Sequence, residues 1–166
     1  MDRIDKVNYY LRIAESVSAR STCMKKHYGA VVVKNDRIVS TGYNGAPRGR
    51  QNCCEVGKCA RLRNNIVGTN YGELCRSVHA EANAIIQAAP EELDGATMYL
   101  FGLDLQTNSC VKDCDSCTMC KRLIINSGIK SVICCLGFVS DDVRYDYIVR
   151  DVDAWVKHDD TLGTFD

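Results

Sequence analysis

His79, Ala80 and Glu81 form one short motif of this chain, and Cys117 and Cys120 form another, a Cys-x-x-Cys pair. One imidazole and two thiolates make a three-ligand set for zinc. A three-ligand zinc keeps a fourth position for water and lowers the pKa of that water toward neutrality, which is the arrangement of a hydrolytic site rather than a structural one. Such a site needs a proton carrier. Glu81 stands two residues from His79, near enough to reach the water without being a ligand, and is the candidate general acid and base. Either motif alone says little, since His-x-Glu occurs on many helices and Cys-x-x-Cys also marks structural zinc sites and redox pairs. Their combination favours catalysis over a purely structural metal. Cys114 and Cys117 make a second, overlapping Cys-x-x-Cys, so a ligand pair shifted by one step stays open at this point.

The elements that must position these residues are legible around them. Residues 80–89, rich in alanine and isoleucine, and residues 117–127, which stop before Gly128, each read as a helix with its ligands in the first turn. Helix N-termini then aim partial positive charge at the site and favour thiolate over thiol. Upstream, Ile4, Val7, Leu11, Ala14 and Val17 recur at the three-to-four spacing of an amphipathic helix over residues 4–17. Residues 29–33 and 37–41 read as a hairpin turned at Asn35-Asp36, and 97–102 and 131–136 as apolar strands. The order of helix, two strands, helix, strand, helix, strand predicts an α/β fold, a mixed sheet between helix layers in a three-layer αβα architecture. Residues 141–155 are expected to be helical, and 158–166 to be a disordered end.

Composition narrows the classes of function. The 166 residues suit one domain over 1–166, and the formal net charge is zero with no long basic run, which argues against a polynucleotide partner and for a small substrate. No apolar run reaches the length of a bilayer span, and the first six residues are polar, so a cytoplasmic location without membrane association is expected. Eleven cysteines would suggest a disulfide scaffold in a small secreted domain, but here metal binding and free thiols account for more of them.

Several segments together resemble a known family. They are Gly29-Ala30-Val31-Val32-Val33, Thr41-Gly42-Tyr43-Asn44-Gly45-Ala46-Pro47-Arg48-Gly49, Cys75-Arg76-Ser77-Val78-His79-Ala80-Glu81, and Cys117-x-x-Cys120 followed by Leu123-Ile124-Ile125-Asn126-Ser127-Gly128-Ile129. On these the chain resembles the cytidine deaminase-like zinc enzymes, and within them the deoxycytidylate branch, over about residues 9–136. The segment 123–129 follows Cys117 and Cys120 at the family's distance, and the resemblance therefore favours these two as the ligands. The resemblance implies a cytidine deaminase-like fold, Zn2+ as cofactor, and hydrolysis of dCMP to dUMP and ammonia, with Glu81 moving the protons. Alternatives on the same scaffold are another cytosine nucleoside or nucleotide, such as dCTP or cytidine, or a modified base. A non-catalytic zinc- or nucleotide-binding module is the rival from another class, and Glu81 beside an open metal position speaks against it.

The same resemblance implies roles for other residues. Asn44 matches a sugar-contacting asparagine. Lys26 and Arg76, with Lys25 and Arg48 as further candidates, stand for a 5′-phosphate contact, and Tyr145 and Tyr147 are candidates to flank the base or sugar, although a core or interface role suits them better. Residues 42–49 resemble a segment that binds a nucleotide effector, dCTP or dTTP, and a homo-oligomer is expected. Cys23, Cys54, Cys59 and Cys75 are candidates for a second, structural zinc, with several free buried thiols as the competing explanation. Cys134 and Cys135 read as core. Two features depart from the family pattern: Ser116 stands where a proline precedes the metal-binding cysteines, and residues 105–115 lengthen the approach to them.

Overall fold

The computed structural model describes residues 3–65, 74–112, 114–139 and 144–158. In chain order these form α1 (Lys6–Ser18), β1 (Lys26–Lys34), β2 (Arg37–Tyr43), α2 (Cys53–Val56), α3 (Ala60–Arg63), α4 (Ala80–Ile86), α5 (Pro90–Leu93), β3 (Thr97–Asp104), β4 (Ser109–Cys110), α6 (Thr118–Ser127), β5 (Ser131–Phe138), β6 (Tyr145–Asp151) and α7 (Val152–Lys157).

Three central strands carry apolar side chains on both faces. Ala30, Val32, Met98, Leu100, Val132 and Cys134 are buried on one side, and Val31, Val33, Tyr99, Phe101, Ile133 and Cys135 on the other. A sheet apolar on both faces needs a helix layer on each. Tyr10, Leu11 and Ala14 of α1 supply one layer, while α4, α6 and α7 supply the other through Ala80, Ala84, Ile124, Val152 and Trp155. The strand order is β2-β1-β3-β5-β6, with β4 paired to β3; β3 and β5 run parallel and the other neighbours antiparallel. This is the three-layer mixed sheet expected from the sequence.

Local chemistry sets the elements. Asn35 and Asp36 take φ of 51° and 61°, the left-handed pair that a two-residue hairpin requires, and Lys34 pairs with Arg37 across it. Gly29 and Gly42 permit close packing: a Cβ on Gly29 would fall on the Ala14 carbonyl of α1, and one on Gly42 on the Ala80 carbonyl of α4. Gly42 thus lets the helix that begins after His79 lie directly on β2.

Two expectations need correction. The tail is not one helix, because Tyr145, Tyr147 and Val149 alternate with period two and pair with β5 as β6, leaving only α7 helical. The helix foreseen over 80–89 stops at Ile86, since the residue before a proline disfavours helical ψ and Pro90 opens the separate α5. The added residues before the metal-binding cysteines include β4, in which Cys110 pairs with Leu103. Apart from His158, the end expected to be disordered lies outside the described residues. Among the described residues no helix is long and apolar enough to cross a membrane.

Candidate active site

His79 and Cys117 are the N-caps of α4 and α6, two helices that pack side by side on one face of the sheet. The chain leading to His79 is fixed by a two-way bridge, Val78 N–H donating to Gly45 O at 2.8 Å and Gly45 N–H to Val78 O at 3.1 Å. Helix α4 is fixed in turn by Asn83 Nδ2 donating to Tyr43 O (2.8 Å) and Ser40 Oγ donating to Ala84 O (2.8 Å). Cys120, one turn into α6, is fully buried.

These anchors bring the three candidate ligands together. His79 Nδ1 lies 3.5 Å from Cys117 Sγ and 3.4 Å from Cys120 Sγ. A zinc bonded at about 2.3 Å to sulfur and about 2.0 Å to nitrogen, with a tetrahedral angle, separates those atoms by about 3.5 Å. The donor set therefore fits zinc. Among the described residues this is the one group of three or more His, Cys, Asp or Glu ligand atoms within 4.8 Å of one another. Cys114, the alternative partner of Cys117, is buried instead with its thiol toward Leu100 O at 3.8 Å, and burial pushes its pKa up.

The electrostatics agree with a cation site. A hydrogen bond from Cys120 first, and then from His79, holds the Cys117 thiol well below the ordinary thiol range. The same contact with Cys117, and burial, push Cys120 up, because two thiolates side by side repel. The hydrogen bond to Cys117 likewise raises His79. Glu81 is 5% exposed, and desolvation raises its pKa above the ordinary carboxyl range.

His79, Glu81 and Cys117 border a cavity of about 370 Å³. The structure brings Asn44, Lys26 and Arg76 to its wall, whereas Arg48 is exposed away from it. Asn44 is already engaged by the protein: its Oδ1 accepts from Tyr28 N–H (2.8 Å) and Ser21 Oγ (2.6 Å), and its Nδ2 donates to Lys26 O (2.9 Å). It ties the end of β2 to the start of β1, a duty the sequence does not announce. Lys26 Nζ stands 3.8 Å from Asp104, and Arg76 donates to Gln51 O at 3.0 Å. Arg61, from the one-turn helix α3, also borders the cavity and was missed; its only signal is its place in a short basic cluster with Arg63. Tyr145 packs against Phe101 and Phe138 and Tyr147 lies half exposed on β6, neither at the cavity.

The second cysteine set is only partly as expected. Cys23, Cys59 and Cys75 border the same cavity, but the fourth is Cys53, while its neighbour Cys54 in the one-turn helix α2 is exposed and does not border it. Cys134 and Cys135 are core, as expected.

Comparison with known proteins follows the same lines. The pattern of the cytidine and deoxycytidylate deaminase zinc-binding region matches residues 4–136. A deoxycytidylate deaminase of Mycobacterium phage D29 is 38% identical over 137 residues, 80% of this chain and 96% of that one. The deoxycytidylate deaminase of Schizosaccharomyces pombe is 34% identical over 76% of this chain, which spans 35% of that protein's length. Among solved structures, the apo dCMP deaminase of cyanophage S-TIM5 superposes with a TM-score of 0.52 at 25% identity, covering 79% of this chain and 82% of that one. The same phage enzyme has been solved in complex with dCMP and dUMP, and it superposes with a TM-score of 0.51 at 23% identity. This chain belongs to the cytidine and deoxycytidylate deaminase family of zinc-dependent hydrolases.

Proposed function

We propose that this protein deaminates dCMP to dUMP and ammonia, and that His79, Cys117 and Cys120 hold its zinc while Glu81 carries protons. The observation that carries the reading is the convergence of Nδ1 and two sulfurs at 3.4–3.5 Å beside a buried carboxylate, on a cavity with cations along its wall. When bound, zinc supplies a Lewis acid and a lowered water pKa at neutral pH. The rest falls to the chain. Glu81 takes a proton from the attacking water and delivers it to N3 of the cytosine ring, then takes the second proton from the new C4 hydroxyl and gives it to the amino group, so that C4–O becomes a carbonyl as the C4–N bond breaks and ammonia leaves. Burial keeps bulk water from competing for that proton.

Lys26 and Arg76 are proposed to hold the 5′-phosphate, at a distance from C4 where binding energy orients the ring without touching the reacting atoms. Asn44 is proposed to meet the sugar through its remaining Nδ2 hydrogen. Ammonia release measured with dCMP, dCTP, deoxycytidine and cytidine tests the assignment: dCMP is expected to lead, and comparable kcat/KM for deoxycytidine and dCMP would reject the phosphate contact.

The wider reading has separate supports. One continuous sheet through the described residues supports a single domain over 1–166. Ile86, Met119 and Leu123 leave apolar side chains exposed on α4 and α6, which supports a homo-oligomer, tested by sedimentation. Control by dCTP or dTTP rests on the resemblance of residues 42–49 and is tested by titrating each against dCMP turnover. A cytoplasmic location belongs to the same proposal, tested by fractionation. A second zinc, held by Cys23, Cys59 and Cys75 with Cys53 in place of Cys54, is supported by the shared cavity wall and by the electrostatic influence of the other three on Cys53.

A further inference from the structure

The two outer strands of the sheet are treated differently. On β2 the carbonyls of Thr41 and Tyr43 accept from Gln87 Nε2 at 2.9 Å and Asn83 Nδ2 at 2.8 Å, side chains of α4 and its C-cap. At the other edge stands β6, and among the described residues no strand lies beyond it. Its sequence, Tyr-Asp-Tyr-Ile-Val-Arg-Asp, has neither the lysine nor the proline that guards an open edge, and Tyr147 and Val149 are 38% and 55% exposed. The phase of its backbone follows from its pairing with β5. Val152 N–H donates to Lys130 O at 3.0 Å, and Arg150 and Ile148 pair with Val132 and Cys134 further along the same ladder. Hydrogen-bonded positions alternate in an antiparallel ladder, so Ile148 and Arg150 turn their N–H and C=O groups toward β5 while Tyr147 and Val149 turn theirs outward. Tyr147 N–H accordingly donates to a side chain, Asp146 Oδ1 at 3.0 Å, instead of a strand. The Tyr145 N–H donates to Asn8 Oδ1 of α1, which closes the edge at that end.

An outward row of this kind can pair with itself. A two-fold axis through Ile148 sets Tyr147 opposite Val149 of a second copy and Val149 opposite its Tyr147, so both outward pairs exchange backbone hydrogen bonds and their exposed side chains cover each other. The same axis sets Asp146 opposite Arg150 of the second copy, twice by symmetry. Opposite charges facing each other across a ladder stabilise it, and like charges destabilise it. Neither neighbouring register has this match: an axis through Tyr147 sets Arg144 opposite Arg150, and one through Val149 sets Asp146 opposite Val152 and Arg150 opposite Ile148. Arg150 already turns its Nε toward Asp115 at 3.5 Å, and a guanidinium fork has further donors for a second carboxylate. We propose that a second copy of this chain docks on the β6 edge, antiparallel about an axis through Ile148, and joins the two sheets into one. The proposal rests on the reading of the protein as a homo-oligomer and names a surface for it, distinct from the exposed apolar face of α4 and α6.

Disulfide trapping reads the register. Residues directly opposite at a non-hydrogen-bonded position stand about 4.5 Å apart at Cα, within the span of a disulfide. Zinc-loaded Ile148→Cys, treated with oxidised glutathione, is therefore expected to form a covalent dimer whose 148–148 link is found by mass spectrometry and lost on reduction. Arg144→Cys, whose two copies lie about 27 Å apart in this register, is expected to form no such link. In sedimentation, Asp146→Arg sets two arginines face to face and is expected to raise the dimer dissociation constant by about tenfold or more, while Asp146→Arg combined with Arg150→Asp is expected to restore it. If the double variant does not fold, Val149→Lys, at an exposed outward position, takes its place with dissociation expected. Absence of the 148–148 link would overturn the proposal, as would an equal link at 144, a dimer that Asp146→Arg or Val149→Lys leaves intact, or a loss that the folded double variant does not relieve. A dimer untouched by these changes but dissolved by Ile86→Glu would place the homo-oligomer on α4 and α6 and overturn the β6 assignment alone. A monomer at every concentration would overturn the homo-oligomer reading as well.

Discussion

Two cysteine sets border one cavity, and they differ in what holds them. Cys117 and Cys120 begin α6, a ten-residue helix packed on the sheet and capped at its far end by Gly128 with φ of 79°. Their sulfurs meet His79 at 3.4–3.5 Å, and Cys117 is drawn toward thiolate. Cys23, Cys53, Cys59 and Cys75 stand on loops and one-turn helices, half buried, and burial pushes the Cys53 thiol up. A metal would have to draw these four sulfurs together, whereas the first set stands at ligand spacing already. The difference teaches that preorganisation comes from anchoring to the sheet, not from cysteine count. Gly42 is part of that anchoring, since any side chain there would push α4, and His79 with it, off β2.

The largest expected effect falls on the anchored site. Glu81→Gln is expected to keep zinc and fold but to lose turnover by about 10²–10⁴-fold or more, measured as ammonia release. The same variant has a second signature. Burial raises the Glu81 pKa in the folded state, so the native protein binds this proton more tightly than the unfolded chain does, and in the metal-free protein stability falls as pH rises from the ordinary carboxyl range through the raised value. Metal-free Glu81→Gln is therefore expected to melt higher than metal-free wild type at neutral pH and to converge with it in acid. An unchanged or lower melting point at neutral pH would contradict the buried-carboxylate assignment.

Next come the cations on the cavity wall. Lys26→Ala and Arg76→Ala are each expected to lower kcat/KM for dCMP by about tenfold and to leave deoxycytidine turnover unchanged. Equal losses on both substrates would remove these residues from phosphate binding.

The smallest effect is expected in the loop-borne set, where Cys59→Ser should reduce zinc from two per chain to one and lower the melting midpoint by about 5 °C, leaving dCMP turnover in place. Cys54→Ser should change neither, since its side chain is exposed. One zinc per chain in wild-type protein prepared without chelators would dissolve this half of the comparison.

How much of this was legible in the sequence follows the same division. His79, Glu81, Cys117 and Cys120 could be read because each pair lies within one helical turn, so local spacing carries the geometry. The layers could be read because the centres of strands β1, β3 and β5 are apolar on both faces and α1 is periodic. The choice between Cys53 and Cys54 could not, since it depends on which side of a one-turn helix faces the cavity. Nor could the engagement of Asn44, whose partners Ser21, Lys26 and Tyr28 come from a distant loop and strand. The tail was misread as helical although its apolar Val143, Tyr147, Val152 and Trp155 are irregularly spaced, because pairing of Tyr145–Asp151 with β5 is a long-range choice that propensity does not record.

The central claim is that zinc held by His79, Cys117 and Cys120 makes this protein a dCMP deaminase. Its most direct test is conversion of dCMP to dUMP followed with the zinc-loaded protein, after chelation, and after restoring zinc. The account predicts turnover, its loss on chelation and its return with zinc; dCMP turnover that survives zinc removal, or none in the fully loaded protein, would contradict it.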